Sequence, residues 1–272
     1  METNVPDEIL KTLPLQNRYI HIRGLHTLFK KETKRFTKLF TQTIVAPLIT
    51  NLLYLLIFGV SLKNQMIGHT GVSFLTFLIP GLCAMSIINN TFGNTTASVM
   101  GQKYQQTITE LFFTPLAPWE IASAVILGGV MRGIVVAATT LGVCWFFSPF
   151  TLAHPFWILL SMLMLSIVFG GIGIVASLWA DNFDKLSYFS TFFIAPFSFL
   201  GGVFFSIAHL PEPWHSIALL NPLLYFIDFF RWSCIGYSDI SPMISGSILI
   251  VLTVATFTWV VLLYERGYKI KS

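Results

Sequence analysis

The sequence predicts an all-α polytopic membrane protein with six transmembrane helices. The chain is 54% hydrophobic and only 10% charged, against about 25% charged for an average soluble domain. Its mean hydropathy is +0.73. Its charges gather at the two ends and in short breaks between apolar runs, and those runs are long enough to cross a hydrocarbon core of about 30 Å. The 26 Phe and 7 Trp suit lipid-facing and interfacial positions. The net charge of +4 sits mostly at the ends and is no nucleic-acid signal.

Residues 1–39 read as a cytoplasmic tail followed by an amphipathic interfacial helix. Residues 1–17 are polar, with Pro6 and Pro14. From Arg18 onward, Ile22, Leu25, Phe29, Phe36 and Phe40 keep one helical face apolar. Arg23, Lys30, Lys31, Lys34, Arg35 and Lys38 occupy much of the rest, which places their charges near anionic headgroups or makes them a plain positive flank. No secretory signal is expected before the spans, because the first apolar run is too long and starts too late.

Residues 40–264 form the transmembrane domain, with spans over 40–62, 72–100, 121–147, 156–180, 186–205 and 243–264. Pro47 and Asn51 interrupt the first. The second turns polar in its later half, where Ser86, Asn90, Asn94 and Ser98 fall four apart on one stripe. Amides inside a span must face protein or water, so the stripe either bonds neighbouring helices or lines a translocation path. In the third span Gly129 and Gly133 permit close helix approach. Arg132 lies roughly 8 Å inside the boundary on the Ile121 side. It either snorkels back to that boundary or makes an ion pair or a substrate contact inside the bundle. Residues 265–272 are a basic tail.

Two breaks carry information. Residues 101–120 hold Lys103, Glu110 and Glu120, yet Ile108-Thr-Glu-Leu-Phe-Phe is amphipathic, with Leu111 and Phe112 opposite Glu110. This is a surface loop or a docking helix for a soluble partner. Residues 206–242 hold two apolar stretches too short to cross, which fit a re-entrant helical hairpin in which Asp228 and Arg231, three apart, pair on one face. Counting Lys and Arg by side, with Arg132 set aside, gives thirteen on the side of the termini and of residues 101–120 and two on the other. That bias puts both termini in the cytoplasm.

The three cysteines, Cys83, Cys144 and Cys234, have no metal-ligand spacing and make no disulfide framework. The six histidines are scattered. No phosphate-cradling GxxxxGK[ST] and no HExxH is present, so the chain is expected to be no enzyme and to hold no cofactor or metal.

The run ITELFFTPLAPWE at 108–120 is similar to the acidic, apolar, then proline-rich coupling segment of the membrane subunits of ABC-2 type ABC transporters. LGGVFFS at 200–206 and LNPLLYF at 220–226 resemble that family's stretches at the end of span five and in the external hairpin. Together with the helix before span one and the six-span order, the resemblance covers residues 33–264, and within the family it points to half-size bacterial drug or carbohydrate exporters. It implies a bacterial inner-membrane permease that pairs with a second copy of itself and with two copies of a separate ATPase, which would bind the ATP and Mg. Ile108, Glu110, Leu111, Phe112 and Phe113 would couple to that ATPase. Asn221, Tyr225, Asp228 and Arg231 would belong to the hairpin. Phe146, Phe147, Phe204, Phe205, Trp214, Tyr225 and Phe226 suit either an amphiphilic substrate or an ordinary aromatic belt. The alternative is an ATP-independent secondary transporter or channel, against which stands the lack of Asp or Glu within the spans.

Overall fold

Proline and small polar caps set most helix starts in the computed structural model, which describes residues 21–38, 41–61, 66–67 and 71–268. Helix α1 is Ile22–Thr37. A π turn at Thr41–Val45 leads into α2, Ala46–Ser61. A two-stranded antiparallel hairpin, β1 (Met66–Ile67) and β2 (Val72–Ser73), connects to α3, Phe74–Tyr104. Then come α4 (Ile108–Phe112), α5 (Pro118–Phe147) and α6 (Pro155–Trp179). A broken helix follows, with α7 (Phe183–Phe189), a π turn (Ser190–Ile194) and α8 (Ala195–Phe199). After a 3₁₀ turn come α9 (Trp214–Leu219), α10 (Pro222–Ile235) and α11 (Pro242–Glu265). Helices α5, α6, α10 and α11 each begin at Pro, whose missing N–H costs nothing in the first turn. Gly236, at φ +74°, ends α10.

Among the described residues five helices are long and apolar enough to cross a membrane: Thr41–Gly59, Phe74–Tyr104, Pro118–Phe147, Pro155–Trp179 and Pro242–Glu265. The run expected at 186–205 differs. Its helical residues number seven, five and five, seventeen together, a rise of about 25 Å. Pro196 gives no N–H to the carbonyl four residues back, and the π turn widens the helix at that point. Residues 200–205 then leave the helix, with Gly202 at φ +77°. The expected tail over 1–17 and residues 269–272 lie outside the described residues.

Helix α3 is the axis of the bundle and is buried along most of its length between α5 and α6. Glycines make that approach possible. A methyl on Gly133 would stand 2.4 Å from the Thr91 hydroxyl, and one on Gly173 would stand 2.1 Å from the Thr95 hydroxyl. The expected pair Gly129 and Gly133 therefore seats the threonines of α3. Contacts sort the helix ends into two groups. Lys103, at the end of α3, donates to the carbonyls of Ser177, Leu178 and Ala180 at the end of α6, as a cation does best at a helix C-terminus. At the opposite end Thr76 meets Ser148 at 3.0 Å, and the Ala153 N–H donates to the Cys234 carbonyl at 3.0 Å.

Candidate functional site

The end that holds Lys103 is built around α4. Ile108 is buried with Leu28 of α1, Val99 of α3 and Ile121 of α5. Leu111 and Leu116 pack against that cluster half-buried. Glu110 faces solvent, and Phe113 is 76% exposed. The Phe112 side chain lies outside the described residues. Gln106, with φ at +57°, makes the turn out of α3. Helix α4 thus has an apolar residue anchored inward and a carboxylate and a phenyl ring turned outward.

Glu120, which the sequence reading placed with the polar residues of this segment, is fully buried. One carboxylate oxygen accepts the Ala117 N–H at 2.8 Å and so caps α5. The other accepts the His21 N–H at 2.7 Å at the start of α1. Both N–H groups are free ends that a helix cannot satisfy by itself, and one carboxylate joins the two helices there. Pro118 at the first position and Glu120 at the third were the available sequence signal for the cap. Nothing in the sequence named His21 as the second partner.

Helix α1 runs lengthwise along α5 from this point. Its buried ridge is Leu28, Glu32 and Phe36; of the face that periodicity proposed, Phe36 is buried, Leu25 and Phe29 are half-buried and Ile22 is 70% exposed, while Phe40 lies outside the described residues. Glu32 turns the helix. It is buried against Gly128, where an added methyl would come within 2.6 Å of its Cβ. It accepts from the Ser98 hydroxyl at 2.8 Å and pairs with Arg35 at 3.0 Å. Arg35 also donates to Asn94, to the backbone carbonyl at 2.7 Å and to Oδ1 at 3.2 Å. Burial pulls the Arg35 guanidinium below its usual range, and the Glu32 charge opposes that shift. Gly128→Ala is expected to lower the thermal midpoint by an overpacking cost of about 1–3 kcal/mol and to open α1 to protease. Gly142→Ala, with open space around it, is expected to raise the midpoint slightly.

The polar stripe of α3 is engaged over its length. Ser98 and Asn94 meet α1. Ser86 accepts from Asn51 of α2 at 2.7 Å, and Asn51 reaches Thr140 of α5 at 3.3 Å. The Asn90 amide returns to the Ser86 carbonyl at 3.0 Å. Beside the stripe, two clefts open on the bundle surface. One, of 290 Å³, is lined by Thr50, Asn51, Tyr54, Ser86, Asn89 and Asn90. The other, of 250 Å³, is lined by Asn89, Gly93, Thr96, Phe183, Leu186 and Ser187. Asn89 stands exposed between them. Arg132 is half-buried, and among the described residues no acidic side chain pairs with it and its Nε has no partner.

At the opposite end, the expected ion pair between Asp228 and Arg231 is not formed. Asp228 accepts the backbone N–H groups of Asp239 at 2.7 Å and Ile240 at 3.3 Å, and the Ser245 hydroxyl at 3.2 Å. It therefore holds the chain entering α11. Arg231, fully buried, donates to the carbonyls of Phe77 at 3.3 Å and Gly202 at 2.6 Å and lies 3.6 Å over the Phe77 ring. The Phe77 carbonyl lies in the same turn of α3 as Pro80, whose missing N–H takes the helical donor from Thr76, four residues back. Asn221 caps α10 through the Leu223 N–H at 3.0 Å and donates to the Phe197 carbonyl at 2.7 Å. The Tyr225 hydroxyl donates to the Leu219 carbonyl at 2.8 Å.

A bundle of apolar helices, five of them long and apolar enough to cross a membrane, with polar contacts between them, defines an integral membrane protein. Residues 23–235 match the model of the ABC-2 type transporter family, and the chain belongs to that family. It is 33% identical over 249 residues to the Escherichia coli K12 inner membrane transport permease YadH, covering 92% of this chain and 97% of that one. It is 25% identical over 230 residues to nodulation protein J of Rhizobium leguminosarum bv. viciae, covering 79% and 83%. Against nodulation protein J of Rhizobium meliloti the identity is 25% over 228 residues.

Proposed function

We propose that this chain is the permease subunit of an ATP-driven exporter of the bacterial inner membrane, moved by two copies of a separate ATPase and working beside a second copy of itself. The observation that carries the reading is α4: Ile108 is fixed in the core that α1, α3 and α5 share, while Glu110 and Phe113 point out of the molecule. A force applied to such a helix reaches three others at once. In this reading residues 183–199 complete a sixth crossing, α9 and α10 form an outward-facing re-entrant hairpin, α1 lies at the inner interface and both termini are cytoplasmic. The clefts flanking Asn89, between α2 and α3 and between α3 and α7, are the substrate path, closed on the open side by the second copy. Their mixture of amides and aromatic rings suits an amphiphile, a drug-like or lipid-linked glycan molecule.

The test is co-purification of the ATPase under mild extraction. Removing an exposed ring from a docking contact costs about 1.5–3 kcal/mol, so Phe113→Ala is expected to weaken ATPase retention about tenfold or more. Glu110→Lys, a charge of wrong sign against the partner, is expected to weaken it as much. Insertion should be unchanged for both. If both variants keep a full complement of ATPase and normal coupled turnover, α4 is a surface loop. If no ATPase accompanies the unmodified chain, a secondary transporter or channel is the better reading.

A further inference from the structure

We infer that the junction of α1, α3 and α5 binds a phosphate group, carried by a lipid headgroup of the leaflet that borders it, with Arg132, Arg35 and Asn94 as its ligands. The charge balance is the first argument. Glu32 and Arg35 form an ion pair at 3.0 Å that leaves Arg132 over, and the two guanidinium groups act on each other repulsively. An uncompensated cation beside a low-dielectric bundle is costly, and the cost is relieved by an anion. No carboxylate among the described residues pairs with Arg132.

The second argument is hydrogen-bonding capacity. Asn94 is 1% exposed. Its Oδ1 accepts from Arg35, but its Nδ2 has no partner among the described residues. It lies 3.7 Å from where a side chain on Gly128 would begin. Arg132 stands one turn beyond Gly128 on the same face of α5, with its Nε also buried and unpartnered. Buried donors without acceptors are uncommon and call for a bound group. Two unpartnered donors on facing helices, beside the Arg35 guanidinium and with one positive charge left over after Glu32 is counted, match the oxygens of a phosphate, and guanidinium groups suit it geometrically. The exposed lysines Lys30 and Lys34 of α1 add to the positive field there.

The site does not depend on the transport cycle, so it is tested on the permease alone. The purified chain is stripped of lipid in detergent and titrated with phosphatidylglycerol, with diacylglycerol, which has the same tails and no phosphate, and with inorganic phosphate. Binding is read by native mass spectrometry and by thermal midpoint. One phosphatidylglycerol per chain is expected to bind well ahead of diacylglycerol. Arg132→Gln is expected to weaken it about tenfold, and Arg132→Lys by less, because a charge remains. Lys31→Gln removes an equal charge from the exposed face of α1 and should change little. Stabilisation by inorganic phosphate to the same extent, with the same dependence on Arg132, supports the anion site and assigns it to a free ion. Equal binding of diacylglycerol, unchanged affinity in Arg132→Gln with its midpoint intact, or an equal loss in Lys31→Gln overturns the proposal.

Discussion

Arg231→Met is expected to cost about 3–5 kcal/mol, the scale of removing one member of a buried charged arrangement. Methionine fills the volume but leaves the Phe77 and Gly202 carbonyls without a donor and removes the cation from the Phe77 ring. Hydrogen bonds between helices in membranes average only about 0.6 kcal/mol, so two of them do not account for the figure. The remainder comes from leaving the buried Asp228 carboxylate, which keeps its own hydrogen bonds, without the positive charge that offsets it. The measurement is the yield of monodisperse protein and its thermal midpoint. Arg231→Lys should recover part of the loss, since an ammonium keeps the charge but does not span both carbonyls. A midpoint within a degree or two of the unmodified protein would contradict this account.

Glu120→Ala is expected to be the second large effect, and a local one. It strands the N–H groups of His21 and Ala117 and removes a negative charge from the N-terminus of α5. Charge-assisted bonds are worth about 1.5–3 kcal/mol each, so α1 should lose about 1.5–3 kcal/mol of its attachment through the His21 N–H. Hydrogen exchange should rise over residues 21–37 while α5 and α6 remain protected. Glu120→Gln keeps one good acceptor and should fall between the two. Uniform exchange across all helices in Glu120→Ala would mean that the residue holds up the whole bundle and not this joint.

The spans were legible because hydropathy over twenty residues is a summed quantity, insensitive to where any one side chain points. The run ITELFF was legible for a related reason: an acid between apolar residues leaves few ways to orient a short helix, and Ile108 and Glu110 face as their types demand. What stayed hidden was where charged groups find partners. Spacing of three predicted that Asp228 would meet Arg231, but each found backbone on another segment, the carbonyls of Phe77 and Gly202 in one case and the N–H groups leading into α11 in the other. Glu32 was lost among the lysines of α1, because an acid in a basic helix looks like surface. Its burial follows from Ser98, Asn94 and Gly128, which lie more than sixty residues away. Residues 186–205 read as one span by composition, while the observed helix runs over 183–199 with a π turn in it and the chain leaves the helix from Leu200 to Gly202.

Helix α3 is 31 residues long, about 46 Å, and it is fastened at both extremities, by Lys103 to the end of α6 and by Arg231 at Phe77. Mechanically it is a lever with pinned ends. A tilt of about 5° around its middle displaces each end by about 2 Å, more than a hydrogen bond tolerates before it breaks. Stretching is therefore not open to the bonds of Arg231. The segments they join must swing together with α3, or the guanidinium must let go.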